Sequence, residues 1–159
     1  MKGRLSEHLT WEVFADTSHR EFMEEQENPD PQVVANARRW AVDIYEPLLN
    51  LWGLVRITSG YRCFGLNECV GGHPESAHVE GRAADVKPQL ANIVDAFEQL
   101  LASQIPFDKA ILEFGRWVHV QNARRGGVPR RQGLVTFDGR NYAFYDPRLE
   151  QVKKLRNPK

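Results

Sequence analysis

The stretch Ser76-Ala77-His78-Val79-Glu80-Gly81-Arg82-Ala83-Ala84-Asp85 sets a histidine and an aspartate seven residues apart, with small residues filling much of the space between them. A second histidine, His119, falls in Trp117-Val118-His119-Val120-Gln121. Alternation there turns Val118 and Val120 to one face of a strand and His119 to the other, beside Trp117 and Gln121. Two imidazoles and one carboxylate, with water in the fourth position, are the donor set of a catalytic zinc site. Both ligand types suit a borderline cation such as Zn2+. His78, Asp85 and His119 are therefore the candidate metal ligands. The His-x6-Asp spacing is loose, and an ordinary surface pair would read the same way. The other histidines offer less. His8 and His19 lie in a polar N-terminal region with no partner nearby in sequence, and His73 has only its place after Gly71-Gly72 in an irregular loop.

Such residues need elements to position them. Thr10 predicts the start of a short helix, without a capping box because Val13 stands where Glu or Gln would be needed. Asn28-Pro29-Asp30-Pro31 reads as a turn from which Asp30 caps a helix with Pro31 at its first position. Val33, Val34, Ala37, Trp40, Ala41, Ile44, Leu48, Leu49 and Trp52 then recur mostly at three and four residues, a core-facing stripe that Gly53 closes. Pro47 inside this pattern predicts a kink or break before it. Leu54–Thr58 has the β-branched content of a strand. Residues 59–81 are rich in Gly, Ser, Asn and Pro, and so long a loop in a compact domain is usually functional.

Downstream, Arg82–Val86 reads as a second strand. Residues 88–103 read as an amphipathic helix with Leu90, Ile93, Val94, Phe97, Leu100 and Leu101 on one face. Lys109–Glu113 and Trp117–Gln121 form a hairpin around Gly115, and Leu134–Phe137 with Tyr142–Tyr145 a second around Asp138-Gly139. The tail from Asp146 is basic and expected to fray. Strands and helices segregate without regular alternation. The expected fold is α+β, a mainly antiparallel sheet with flanking helices. One domain is expected over residues 1–159, its core spanning about residues 5–145 and its tail 146–159.

Composition bounds the function classes. Hydrophobic residues make up 42% and charged residues 26%, an ordinary globular balance that excludes wholesale disorder. No run approaches the roughly 18 apolar residues of a membrane span. The N-terminus turns polar where a signal peptide would need an apolar core, so synthesis in the cytoplasm is expected. Cys63 and Cys69 form neither a zinc-knuckle spacing nor a disulfide framework, and reduced thiols are expected. Net charge is zero, yet residues 1–115 hold 10 Lys/Arg against 18 Asp/Glu, and residues 116–159 hold 11 against 3. That asymmetry fits a polyanionic partner or two halves that attract each other across the fold. No nucleic-acid partner is expected.

Thr58-Ser59-Gly60-Tyr61-Arg62, Leu66-Asn67, Gly71-Gly72, Ser76-x-His78-x2-Gly81-x-Ala83-x-Asp85 and Trp117-Val118-His119-Val120 follow one another in order between residues 5 and 122. Together they resemble the zinc D-Ala-D-Ala carboxypeptidase family, which shares its fold with the hedgehog signalling domain. The resemblance implies Zn2+ held by His78, Asp85 and His119. It also implies an arginine beside the metal that binds the carbonyl under attack, here Arg62. Many members carry the general base three residues before the last histidine, where this chain has Arg116, which accepts no proton. Glu113 is the nearest carboxylate upstream. A three-residue turn, Phe114-Gly115-Arg116, would set it opposite Trp117 on the face that Trp117 shares with His119. Glu80 is the rival, expected on an exposed turn. Gly81, Ala83 and Ala84 would leave room for metal and substrate beside His78 and Asp85.

The resemblance further implies hydrolysis of peptidoglycan stem peptides, at D-Ala-D-Ala or at L-Ala-D-Glu. Glu113 would move the proton and Arg62 would stabilise the oxyanion. Arg124, Arg125, Arg130 and Arg131 flank Gly126-Gly127 and are either an attractor for stem-peptide carboxylates or a solvated basic loop. The architecture resembles a bacteriophage product: a lysin that reaches the cell wall after release, or a virion component with other virion proteins as partners. The alternative is a non-catalytic module of hedgehog-like fold that keeps zinc for structure or partner binding. A structural site would need neither Glu113 nor Arg62.

Overall fold

Residues 3–157 are described by the computed structural model. Thr10 starts only one turn, α1 (Trp11–Phe14), and does not use its side chain as a cap. A 3-10 turn at residues 20–22 leads into α2 (Met23–Glu27). Asp30 accepts a hydrogen bond from the Gln32 amide at 2.7 Å and opens α3 (Pro31–Trp40). The kink or break expected before Pro47 takes the form of a change in helical winding, without an interruption. Residues Ala41–Tyr45 form a π-helical turn that runs straight into α4 (Glu46–Trp52). A proline lacks the amide of an ordinary turn and crowds the carbonyl four residues back, and the wider turn relieves both. Gly53 ends the helix at φ +77°, donating to the Leu49 carbonyl at 2.8 Å.

The strands are β1 (Val55–Ser59), β2 (Ala83–Pro88), β3 (Lys109–Glu113), β4 (Trp117–Gln121), β5 (Gln132–Thr136) and β6 (Ala143–Phe144). They form one sheet in the order β1-β2-β4-β3-β5-β6. Every neighbouring pair is antiparallel except β3 with β5. The fold is therefore α+β with a mainly antiparallel sheet. Between β1 and β2 the irregular loop contains a short helix, α5 (Phe64–Cys69). The helix after β2, α6 (Ile93–Ala102), starts later than the apolar pattern suggests, because the Asn92 side chain caps it through the Val94 amide at 2.8 Å. Leu90 consequently lies outside the helix and is 73% exposed.

Strand alternation divides the sheet into a helix-covered face and a cleft face. Ala84 and Val86, Ala110 and Leu112, and Val118 and Val120 join the hydrophobic core. Helices α3, α4 and α6 contribute Trp40, Leu48, Trp52, Phe97 and Leu100 to it. Trp40 Nε1 donates to the Val120 carbonyl at 2.9 Å, fixing the scaffold helix to β4. The intervening residues Asp85, Ile111, Glu113 and His119 face the other way. Residues 158–159 lie outside the described residues, and the described part of the tail, residues 146–157, does not fray. Its residues form α7 (Glu150–Arg156), packed on α6 with Val152 fully buried, so the core extends past residue 145. Basic composition obscured an apolar face, Val152 with Leu155, and a cation with partners on α6. Arg156 pairs with Glu98 at 2.6 Å and Asp95 at 3.3 Å.

Candidate active site

Cross-strand register sets Asp85 directly opposite His119, and His119 opposite Ile111. His78 arrives from the loop. Its Nδ1 lies 2.6 Å from the Gly60 carbonyl, to which it donates, leaving Nε2 to face the other two residues. Gly60 is required there, because a Cβ would collide with the Phe14 carbonyl. That same carbonyl accepts from the Tyr61 amide at 3.0 Å. The chain is thus pressed against α1 at the point that orients His78.

The three donor atoms form a near-equilateral triangle. His78 Nε2 to His119 Nδ1 and His119 Nδ1 to Asp85 Oδ1 are both 3.1 Å, and His78 Nε2 to Asp85 Oδ1 is 3.3 Å. A tetrahedron with metal–ligand bonds of ~2.0–2.1 Å has edges of ~3.3 Å, so the set fits a zinc ion in size and in donor type. All three residues are buried. Burial alone would raise the Asp85 pKa, but the His78 and His119 rings hold it far below the usual carboxylate range. Burial lowers the His78 pKa. For His119 the hydrogen bond and charge of Asp85 outweigh burial, and its pKa rises.

Arg62 donates from Nη2 to the second Asp85 oxygen at 3.2 Å and from Nε to Ser59 Oγ at 3.0 Å. The fully buried Gln26 fixes the residues on either side of it. Gln26 donates to the Tyr61 carbonyl at 2.9 Å and accepts from the Cys63 amide at 2.6 Å. Glu113 pairs opposite Trp117 as the three-residue turn predicts, with Phe114 and Gly115 at φ +53° and +64°. Trp117 Nε1 donates to Glu113 Oε2 at 3.0 Å. Burial and the charge of Asp85 raise the Glu113 pKa above its ordinary value. Glu80 is occupied elsewhere, paired with Arg82 and, at 3.0 Å, with Arg124.

Arg62, His78, Asp85, Glu113 and His119 line one cleft of about 860 Å³. Lys109, Ile111 and Gln121 on β3 and β4, Leu134 on β5, Tyr142 and the loop residues His73 and Glu75 line it too. Lys109 and Ile111 stand four and two residues before Glu113, so alternation alone could have flagged them. Tyr142 depends on the parallel β3–β5 pairing, for which the sequence carries no local signal. Ala84 belongs to the core rather than to the site, and Gly81 is small because a Cβ would come within 2.6 Å of the Val33 carbonyl.

The basic loop does not reach the cleft. Arg124 pairs with Glu80, and Arg130 with Asp108 at 2.6 Å. Arg131 donates to the Ile105, Leu101 and Ser103 carbonyls and lies over the Phe107 ring. Together with Arg156, these contacts make the charge asymmetry an attraction within the fold. Arg125 lies beside Gln32, Asn36 and Arg39 in a separate groove. Cys63 and Cys69 are unpaired, and neither lines the cleft. Cys69 meets His19 and Glu21 in a second, more exposed grouping of metal-binding residue types.

Residues 16–121 match the model of the Peptidase M15 family. The chain belongs to the peptidase M15 family. The matched range covers about two thirds of the sequence and contains all five residues discussed above. No curated protein matches the chain. Membership makes this M15 protein a zinc-dependent metallopeptidase, and the family implies peptidoglycan as its substrate.

Proposed function

We propose that this M15 peptidase hydrolyses an amide bond of a peptidoglycan stem peptide, with His78, Asp85 and His119 holding zinc and Glu113 acting as general base. The observation that carries this reading is the 3.1–3.3 Å donor triangle, on the same sheet face as the half-buried Glu113 carboxylate. When bound, zinc supplies a Lewis acid that brings the pKa of water toward about 7. Glu113 takes the proton of the attacking water and passes it to the leaving amine. Trp117 holds Oε2, so Oε1 is the oxygen left to receive that proton. Its raised pKa keeps the carboxylate a stronger base than an exposed glutamate. Arg62, anchored by Ser59 and Asp85, stabilises the negative charge that develops on the carbonyl oxygen.

Lys109 forms no ion pair among the described residues, although it lines the cleft. It supplies a positive charge for a substrate carboxylate. D-Ala-D-Ala and L-Ala-D-Glu both carry a free carboxylate on the residue that contributes the leaving amine, so either bond suits the cleft. Incubating the zinc-loaded protein with purified peptidoglycan should release new amino groups. Their identity, D-alanine or the amine of D-glutamate, assigns the bond. Glu113→Gln should retain zinc and lose at least about a hundredfold in rate, while Glu80→Gln stays within a few-fold. An essential Glu80 and a replaceable Glu113 would reverse the assignment. A parent inactive on every wall peptide would favour the non-catalytic module.

A further inference from the structure

His119 Nε2, the ring nitrogen turned away from the donor triangle, lies 3.3 Å from Gln121 Oε1. Gln121 Nε2 in turn donates to Asp108 Oδ2 at 3.2 Å. Asp108 is almost fully buried and receives three hydrogen bonds from Arg130: from its backbone amide and Nε to Oδ1, and from Nη2 to Oδ2. These links join the cleft to the basic loop, and none of them belongs to the reacting groups. We infer that Gln121, Asp108 and Arg130 form a positioning chain that fixes the His119 tautomer and presents its Nδ1 lone pair to the metal.

The polarity of the chain is set from its outer end. A guanidinium donates and never accepts, so Arg130 makes Asp108 an acceptor. Its hydrogen bonds hold the Asp108 carboxyl at about 2, well below the usual range. An ionised carboxylate has no proton to give, so the Gln121 group facing it must be the amide NH2. The Gln121 oxygen then faces His119, and the imidazole must carry its proton on Nε2. A neutral ring protonated there has its lone pair on Nδ1, the atom that faces His78 Nε2 and Asp85 Oδ1. His78 reaches the complementary state by a shorter route, through the Gly60 carbonyl. Partners of this kind orient metal-binding histidines and commonly alter metal affinity by 10–100-fold when lost.

This inference rests on His119 being a ligand, which His119→Ala tests separately: full zinc retention in that variant ends the ligand assignment itself. The positioning chain has its own readouts. In the zinc-loaded parent, ring 15N spectroscopy should place the His119 proton on Nε2, and a proton on Nδ1 would overturn the proposal without any variant. By chelator competition, Gln121→Leu should bind zinc at least about tenfold more weakly, with the metal-free fold unchanged by circular dichroism. Asp108→Asn is isosteric, but its NH2 group cannot accept from Gln121 and Arg130, so it should weaken zinc binding in the same direction. Parent-like zinc affinity in Gln121→Leu or in Asp108→Asn would reject the chain as a positioning device.

Discussion

Single residues carry the chemistry through atoms that neighbours have already committed. His78 Nδ1 is committed to Gly60, Arg62 Nη2 to Asp85 and Glu113 Oε2 to Trp117. Lys109 has no such commitment among the described residues, so its ammonium is available to the substrate proposed above. Lys109→Met keeps the aliphatic stem and removes the charge. It should lower kcat/KM by about 10- to 100-fold, mostly through KM, since a hydrogen bond to a charged group contributes ~1.5–3 kcal/mol. Amidating the substrate carboxylate should erase the difference between parent and variant. An equal loss on amidated and free substrates would remove Lys109 from substrate recognition. At this scale the three donor residues and Glu113 were legible, because their motifs are local and alternation fixes their face. The roles of Gln26 and Gln121 were not, since each acts through partners supplied by distant chain, Tyr61 and Cys63 for the one and Asp108 for the other.

At the scale of elements, the β3–β4 hairpin was readable from its alternation and from Gly115, and Asp30-Pro31 marked the start of α3. The α5 helix escaped because six residues containing Gly65 and Asn67 offer neither periodicity nor a side-chain cap. The α7 helix escaped for another reason: its charges were conspicuous and its apolar face narrow. That face has a measurable consequence. Val152 is fully buried, and Leu155 packs so closely on Gly115 that a Cβ there would overlap it. Gly115 sits in the turn that aligns Glu113 with Trp117, so the C-terminal helix braces the β3–β4 hairpin. Val152→Asp puts an unpaired charge into this contact and should lower the thermal midpoint by several degrees, as expected for a loss of ~2–3 kcal/mol. Calorimetry of the metal-free protein reads that directly. An unchanged midpoint would mean that α7 is not part of the cooperative unit.

Across the whole molecule, the donor triangle draws on three separated pieces of chain: the loop at His78, β2 at Asp85 and β4 at His119. The unfolded chain has no reason to hold them together, so zinc held by the triangle would bind the native state preferentially and stabilise it by mass action. At free zinc about 100-fold above Kd the gain is ~2.7 kcal/mol. For a chain of this length that corresponds to a rise of roughly 5–10 °C in thermal midpoint. The rise should vanish in His78→Ala, whose metal-free midpoint then serves as its own reference. Cys69→Ser separates the two groupings of metal-binding residues. It leaves the buried triangle intact and removes the thiol beside His19 and Glu21. The zinc-dependent rise should therefore survive in Cys69→Ser. If it persisted in His78→Ala and disappeared in Cys69→Ser, the stabilising metal would sit at the exposed grouping, and the cleft would have to be reconsidered as a binding surface without its own ion.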